Sequence, residues 1–95
     1  MKLTWTSQAR DNLREIVSYI GADNPSAARE MQARIEKLAA YVARQPFMGR
    51  PGAVLGTREA IPHPSYHLVY QLGEEAIFIL AIVHTSRRWP PLSDD

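Results

Sequence analysis

The chain has 95 residues, of which 45% are hydrophobic and 22% are charged, and its formal net charge is +1. This composition predicts one globular domain over residues 1–95 and excludes a coiled-coil rod, a collagen-like fibre and a wholly disordered chain. The absence of cysteine excludes disulfide bonds and thiolate metal sites. The longest apolar run has eight residues, Ala76 to Val83, whereas a membrane span needs roughly 20, and no signal-peptide pattern is visible. We therefore expect a cytoplasmic protein.

The first part of the chain reads as a short strand, Lys2 to Trp5, followed by an amphipathic helix. Thr6 or Ser7 can cap this helix, because a hydroxyl there accepts a hydrogen bond from a free amide of the first turn. Gly21 suits the left-handed position that ends a helix. The apolar residues recur at helical spacing: Ala9, Leu13, Ile16, Val17 and Ile20.

A second helix begins at a clear signal, since Asn24 is a strong N-cap and Pro25 fits the first helical position. Pro46 ends this helix. The link between the two helices is only three residues long, which makes them antiparallel neighbours. The apolar stripe of the second helix consists of Ala28, Met31, Ile35, Leu38 and Val42.

The second half of the chain predicts three strands. A loop rich in proline and glycine leads to a strand near Val54 to Ile61, and a second strand covers Tyr66 to Leu72. A hairpin turn at Gly73 to Glu75 joins it to a third strand, Ala76 to His84. We expect the tail from about residue 90 to be frayed. The third strand is apolar on both faces, which predicts that both faces are covered.

These elements define an α+β fold with the order β-α-α-β-β-β. A helical hairpin packs on one face of a small sheet of about four strands, and the strand pairs are mostly antiparallel.

The polar residues of the second half predict a binding surface, because antiparallel pairing brings the start of one strand beside the end of the next. Convergent arginines with a tryptophan nearby can hold phosphates and stack a base. The alternative is that the arginines are solvated strand ends and that the tryptophan folds back into the core. The candidate residues are Arg50, Arg58, His63, His67, His84, Arg87, Arg88 and Trp89.

Enzymatic and metal-binding motifs are missing from the sequence. It contains no nucleophile elbow, phosphate loop, zinc-protease helix or dinucleotide fingerprint. The spacing of the three histidines, His63, His67 and His84, matches no ligand pattern, so we predict neither a metal nor a cofactor.

From Trp5 to Pro90, the chain resembles the ParE/RelE superfamily of bacterial type II toxin–antitoxin toxins, and it is closer to the ParE branch. Four segments in order carry the resemblance. They are Trp5 with a helix ending in Tyr19-Ile20, Asn24-Pro25-Ser26-Ala27-Ala28, Gly49-Arg50-Pro51-Gly52 with Gly56-Thr57-Arg58-Glu59, and Tyr66…Val69-Tyr70 with Ile79-Leu80…Val83-His84…Arg87-Arg88-Trp89-Pro90.

The resemblance implies a small growth-inhibiting toxin that a cognate antitoxin wraps and neutralises in a hetero-oligomer. ParE-like members poison DNA gyrase by trapping its cleaved-DNA complex. For that activity the target-binding residues would be Arg50, Arg58, His63, His84, Arg87, Arg88 and Trp89.

RelE-like members are instead metal-independent, ribosome-dependent mRNA endoribonucleases, and this is the alternative function. In that case His67 or His84 would be the acid or base, and Arg58 and Arg87 would stabilise the phosphate. The chain departs from the RelE-like pattern. His67 replaces an arginine, no lysine follows Lys37, and no catalytic tyrosine follows the last strand. A third possibility is an inert member that only binds antitoxin.

The size of the chain also predicts partner binding, because a chain of this length can bury only part of its apolar surface. We expect that the fold alone cannot bury all of the large apolar side chains, which include Tyr70, Phe78, Ile82 and the helical stripe. We therefore expect an isolated toxin that aggregates and a stable complex with antitoxin.

Overall fold

The computed structural model describes residues 1–87 and 89–90, and it contains two helices and a five-stranded sheet. The predicted order of elements is confirmed, with one strand more than expected. The elements are β1 (Lys2–Trp5), α1 (Ser7–Asp23), α2 (Pro25–Arg44), β2 (Arg50–Pro51), β3 (Thr57–His63), β4 (Tyr66–Leu72) and β5 (Ala76–His84).

The sheet has the strand order β1-β5-β4-β3-β2. β1 runs parallel to β5, and every other neighbouring pair is antiparallel. The unpredicted strand is β2, whose two residues pair with Arg58 and Glu59 of β3. A two-residue strand inside a loop rich in proline and glycine has no periodicity of its own, so only its partner strand defines it.

The helical hairpin turns at a single residue rather than at a three-residue link. The Asn24 amide donates to the Ile20 carbonyl and closes α1, while its side chain accepts from the Ala27 amide and caps α2. The prediction that Gly21 ends α1 is therefore wrong, because the helix continues through Asp23. At the other end of α1, Thr6 rather than Ser7 is the N-cap, and its hydroxyl accepts from the Ala9 amide.

The strand predicted from Val54 begins three residues later, at Thr57. Val54 belongs to a turn, because its carbonyl accepts hydrogen bonds from both the amide and the hydroxyl of Thr57. Gly56 supports this turn with a φ of 88°, a left-handed value that favours glycine. The predicted bounds of β4 and β5 are confirmed.

The core lies between the helices and one face of the sheet. Its largest fully buried side chains come from both layers and include Ile35, Leu68, Tyr70, Ile77 and Ile79. No helix in the described part of the chain is long and apolar enough to span a membrane.

The prediction that the fold leaves apolar side chains exposed is wrong for two of the three strand residues named. Tyr70 and Ile82 face the helices and are buried. Phe78 pairs with Gln71 and lies on the face of the sheet that carries no helices, where it is 36% exposed. The alternation of side chains along a strand separates these residues, since neighbours in sequence face opposite sides. The predicted frayed tail falls on residues 91–95, outside the described residues.

Candidate functional site

Two histidines flank a buried tyrosine at the end of the sheet where β3 and β5 end and β4 begins. Tyr66 pairs with His63 on one side and with His84 on the other. The His84 ring meets the Tyr66 ring edge-on with centroids 5.3 Å apart, and the His63 ring lies 6.3 Å away on the other strand. The amide of Thr85 donates to the carbonyl of Ser65 and joins the two turns beyond the strands. The structure therefore brings together two of the predicted imidazoles.

The same local hydrogen bond orients both imidazoles. The Ser65 amide donates to Nδ1 of His63 at 3.0 Å, and the Ser86 amide donates to Nδ1 of His84 at 3.1 Å. A neutral imidazole that accepts at Nδ1 carries its proton on Nε2. Each ring thus offers an Nε2–H donor, and the Ser86 hydroxyl, 2.7 Å from Nδ1 of His84, adds a second contact there.

A groove of about 600 Å³ opens beside His84, between α1 and the end of β5. We call it the α1–β5 groove. Arg87 and Trp89 lie in its wall, and the indole Nε1 is buried without a hydrogen-bond partner among the described residues. The lining residues are Gln8, Asn12, Glu15, Ile16, Tyr19, Tyr66, Ile82, Val83, His84, Ser86, Arg87 and Trp89.

A second polar cluster lies on the face of the sheet without helices. Oε1 of Glu59 accepts from Nε of Arg50 at 3.3 Å and from Nη2 at 3.1 Å, and Nδ1 of His67 lies 3.4 Å away. The Glu59 side chain is only 9% exposed, whereas that of Arg50 is 56% exposed. A buried carboxylate is stable when it is paired and hydrogen-bonded, so Arg50 compensates the charge of Glu59, and His67 contacts the same carboxylate oxygen.

Arg58 belongs to neither cluster. It pairs with Tyr70, and its guanidinium stacks 5.2 Å from the Phe47 ring and donates to the Phe47 carbonyl at 3.3 Å. Its Nε is buried and has no hydrogen-bond partner among the residues that the structure describes. Phe47 itself is 72% exposed. Arg58 therefore supports the loop after α2, where it holds an exposed aromatic ring.

The predicted convergence of all the cationic residues is wrong. On β4, Tyr70 beside Arg58 lies four residues from Tyr66 beside His84, which is about 13 Å along the strand at the usual rise. Arg50 and His67 lie on the opposite face of the sheet from Tyr66 and His84. The sequence pattern located the strands, but the register between them determines which ends and faces coincide.

One end of the sheet therefore retains His63, His84, Arg87 and Trp89 as a group. Arg88 lies outside the described residues, so its predicted role stays a prediction. No group of three or more potential metal ligands occurs within residues 1–87 and 89–90.

The sequence analysis missed the role of Asn12. Its side-chain oxygen accepts a hydrogen bond from the Ile82 amide at 3.1 Å. This bond replaces the one that the carbonyl of a neighbouring strand would accept. The available signal is spacing: Asn12 lies four residues before Ile16, beside the apolar stripe of α1, where a polar side chain needs a buried partner.

The chain belongs to the ParE toxin family of type II toxin–antitoxin systems, parDE, whose family model matches residues 3–89. It is 34% identical over 90 residues to Y4kP of Sinorhizobium fredii, a candidate toxin by its name, and this match covers 94% of the chain and 93% of the relative. A toxin of such a system has a cognate antitoxin as its partner.

Solved structures share the fold at lower sequence identity. A chain of the chromosomal ParDE toxin–antitoxin system from P. aeruginosa superimposes with a TM-score of 0.79 at 23% identity, covering 88% of this chain and 95% of that one. The YoeB/ParE toxin from Agrobacterium tumefaciens gives a TM-score of 0.64 at 20% identity, covering 88% and 98%. These likenesses establish the α+β toxin fold.

Proposed function

We propose that this toxin arrests growth by poisoning DNA gyrase and that it does not cleave RNA. One observation carries the choice: the residues that a ribonuclease would need lie on two faces and at two ends of the sheet. The ParE family match supports the same choice.

RNA cleavage by a ribonuclease requires a base, an acid and a cation around a single phosphate. His67 and His84 are on opposite faces of the sheet, so they cannot act as acid and base on the same phosphate. His67 is held by Glu59, and Nδ1 of His84 accepts from the Ser86 amide. Arg58 stacks on Phe47 at the far end of the strands. No phosphate position is within reach of this set.

Gyrase poisoning needs a surface rather than a reaction centre. His63, His84, Arg87 and Trp89 supply such a surface, with hydrogen-bond donors and aromatic groups at one end of the sheet. Arg and Trp are common among the residues that contribute most to protein interfaces. Arg50 and Arg58 are held by internal contacts and support the fold away from this surface.

The test is a cleavage assay with purified gyrase and supercoiled plasmid. The toxin should increase the linear DNA released after detergent and protease treatment, and it should leave mRNA on translating ribosomes uncut in primer extension. Codon-positioned cuts without trapped gyrase complex would refute the proposal and support the endoribonuclease alternative. If the toxin traps no gyrase complex, cuts no mRNA and causes no growth arrest, the proposal is refuted and the chain is an inert member of the family.

A matched pair of variants tests the surface. Arg87→Ala should reduce the trapped complex at least tenfold, because Arg87 is exposed in the α1–β5 groove. Arg44→Ala removes another exposed arginine, whose guanidinium lies 5.7 Å from the Tyr41 ring on α2, and it should leave the trapped complex unchanged. If the two variants trap equal amounts of gyrase complex, Arg87 does not contact the target.

A further inference from the structure

The loop after α2 presents an aromatic ring that has one free face. Phe47 is 72% exposed, and the guanidinium carbon of Arg58 lies 5.2 Å from the centroid of its ring. This contact covers one face of the ring, so the exposed area belongs to the opposite face and to the ring edge. Phe47 lines neither the α1–β5 groove nor a second groove beside β1. The ring therefore projects outward and offers a flat apolar face to solvent.

Hydrogen bonds fix the main chain on both sides of this ring. The Met48 amide donates to the Gln45 carbonyl at 3.1 Å, and the Phe47 carbonyl accepts from Nη2 of Arg58 at 3.3 Å. The Tyr70 hydroxyl bonds the main chain just before Phe47 and just after Met48. A partner of the ring therefore does not have to order this loop, which lowers the entropy cost of binding.

The loop is also positively charged behind the ring. Residues 45–58 contain two arginines and no carboxylate. Arg50 is paired with Glu59, whereas Arg58 has no salt-bridge partner among the described residues. The charge of Arg58 therefore stays uncompensated beside an exposed aromatic face, where it attracts anions.

A flat aromatic face with a cation beside it is an arrangement that binds an unpaired base, because the base stacks on the ring and the cation attracts its phosphate. We propose that the free face of Phe47 stacks on an unpaired base of DNA, with Arg58 attracting the adjacent phosphate. The source of this DNA rests on the proposed function: it is the cleaved DNA in the gyrase complex. A ring in the stacking position of a base opposes realignment of the broken strand and so favours the trapped state.

Two features favour a base over a pocket in a partner protein. An aromatic anchor of a protein interface is enclosed and fully desolvated by its partner, whereas Arg58 already covers one face of Phe47. An uncompensated charge beside the ring would also have to lose water in such a pocket, which is costly. Stacking on a base needs only the one free face and leaves the guanidinium near a phosphate.

The chain contains only two phenylalanines, which makes the contact measurable by nuclear magnetic resonance with labelled phenylalanine. The probe is a short single-stranded oligonucleotide of deoxyadenosine, added to the toxin alone. Stacking should shift the ring protons of Phe47 upfield. The ring protons of Phe78, on the face of the sheet that carries no helices, should not shift. An unshifted Phe47 signal, or equal shifts of both rings, would overturn the proposal.

Matched substitutions test whether the flat ring is what the probe recognises. Phe47→Leu keeps an apolar side chain and removes the ring, so it should bind the oligonucleotide at least about fivefold more weakly. Phe47→Trp keeps a flat ring and should bind within about twofold of the wild type. Leu55→Ala is the control, because Leu55 is a fully exposed apolar residue of the turn that follows, and it should bind like the wild type. Wild-type affinity of Phe47→Leu, or an equal loss in Leu55→Ala, would overturn the proposal.

These results are separable from the gyrase proposal, because the oligonucleotide titration contains no gyrase. In the cleavage assay, Phe47→Leu should reduce the trapped complex at least about fivefold, and Phe47→Trp should retain it within about twofold. If Phe47→Leu traps as much complex as the wild type, this inference fails and the proposed function stands. If the wild type traps none, the proposed function fails and the titration decides the base contact. Loss of trapping in Phe47→Leu without an upfield shift in the wild type would mean that the ring contacts gyrase itself, which overturns the base contact.

Discussion

Tyr70 and Gly49 lie 21 residues apart in sequence and are joined by a buried hydrogen bond, which the Gly49 amide donates to the Tyr70 hydroxyl at 3.0 Å. The same hydroxyl donates to the Pro46 carbonyl at 2.7 Å. One phenol thus fixes both ends of the loop between α2 and β2 to the centre of the sheet. This loop presents Phe47 and leads to Arg50, so the phenol determines where the exposed aromatic ring and the Glu59 cluster lie.

Removal of this phenol should destabilise the protein. Tyr70→Phe leaves the Gly49 amide and the Pro46 carbonyl without their partner, and a buried unsatisfied polar group costs about 1–3 kcal/mol. Urea unfolding should show that loss. Tyr41→Phe removes an exposed phenol from α2 and should change the free energy of unfolding by less than about 0.5 kcal/mol. A loss in Tyr70→Phe no larger than in Tyr41→Phe would mean that this hydroxyl does not hold the loop.

Two glycines should respond oppositely to substitution by alanine. A Cβ at Gly49 would lie 2.6 Å from the Tyr70 hydroxyl and 2.7 Å from the Glu59 carbonyl, and the latter is backbone that cannot move aside. Gly49→Ala should therefore destabilise by about 1–3 kcal/mol, as overpacking does. In α1, a Cβ at Gly21 would lie an ordinary 3.5 Å from the Ala28 side chain.

Gly21→Ala should stabilise the protein by about 0.5–1 kcal/mol, because alanine is the better helix former. Thermal unfolding followed by circular dichroism measures both variants. A destabilised Gly21→Ala would contradict the helical placement of that residue.

Thr6 should contribute more than an ordinary helix cap. Its hydroxyl accepts from the Ala9 amide at 3.2 Å and donates to the Ile79 carbonyl at 2.8 Å, so it ties the start of α1 to β5. Thr6→Ala should cost about 1–2 kcal/mol in the free energy of unfolding. Thr6→Ser keeps the hydroxyl and should recover most of the loss. Ser7→Ala, at the neighbouring exposed position, should be neutral; a loss there equal to that of Thr6→Ala would reassign the cap.

His67 should be dispensable for toxicity. We expect His67→Gln to retain gyrase trapping within about twofold, because the ring lies on the opposite face of the sheet from His84 and contacts Glu59. Its free energy of unfolding should fall by no more than about 1 kcal/mol, since the pair is partly exposed to water. The trapping assay and urea unfolding measure the two effects. Loss of growth arrest at unchanged stability would instead favour the endoribonuclease alternative, in which His67 is an acid or base.

Local sequence signals predicted the elements well where a residue acts on its own neighbours. Asn24 and Pro25 mark the start of α2 because capping needs only the next turn. The strand-forming composition and the turn at Gly73 define β4 and β5 for the same reason. The prediction of a helix end at Gly21 failed because the conformational freedom of glycine permits a helix end without requiring one. The hydrogen bond from the Asn24 amide extends α1 past this residue. The prediction of a strand from Val54 failed because the Val54 carbonyl accepts a hydrogen bond from the Thr57 hydroxyl, and this bond closes a turn.

The family and its fold could be recognised from residue types in order along the chain, because caps, turns and apolar periods depend on short stretches. The grouping of functional side chains could not be read in this way. Arg58 and His84 lie on strands that the sequence located, yet the pairing of Arg58 with Tyr70 and of His84 with Tyr66 separates them along the sheet. Register is a property of two strands together, and a shift of one residue exchanges the faces, so the positions of these cations became known only from the folded sheet.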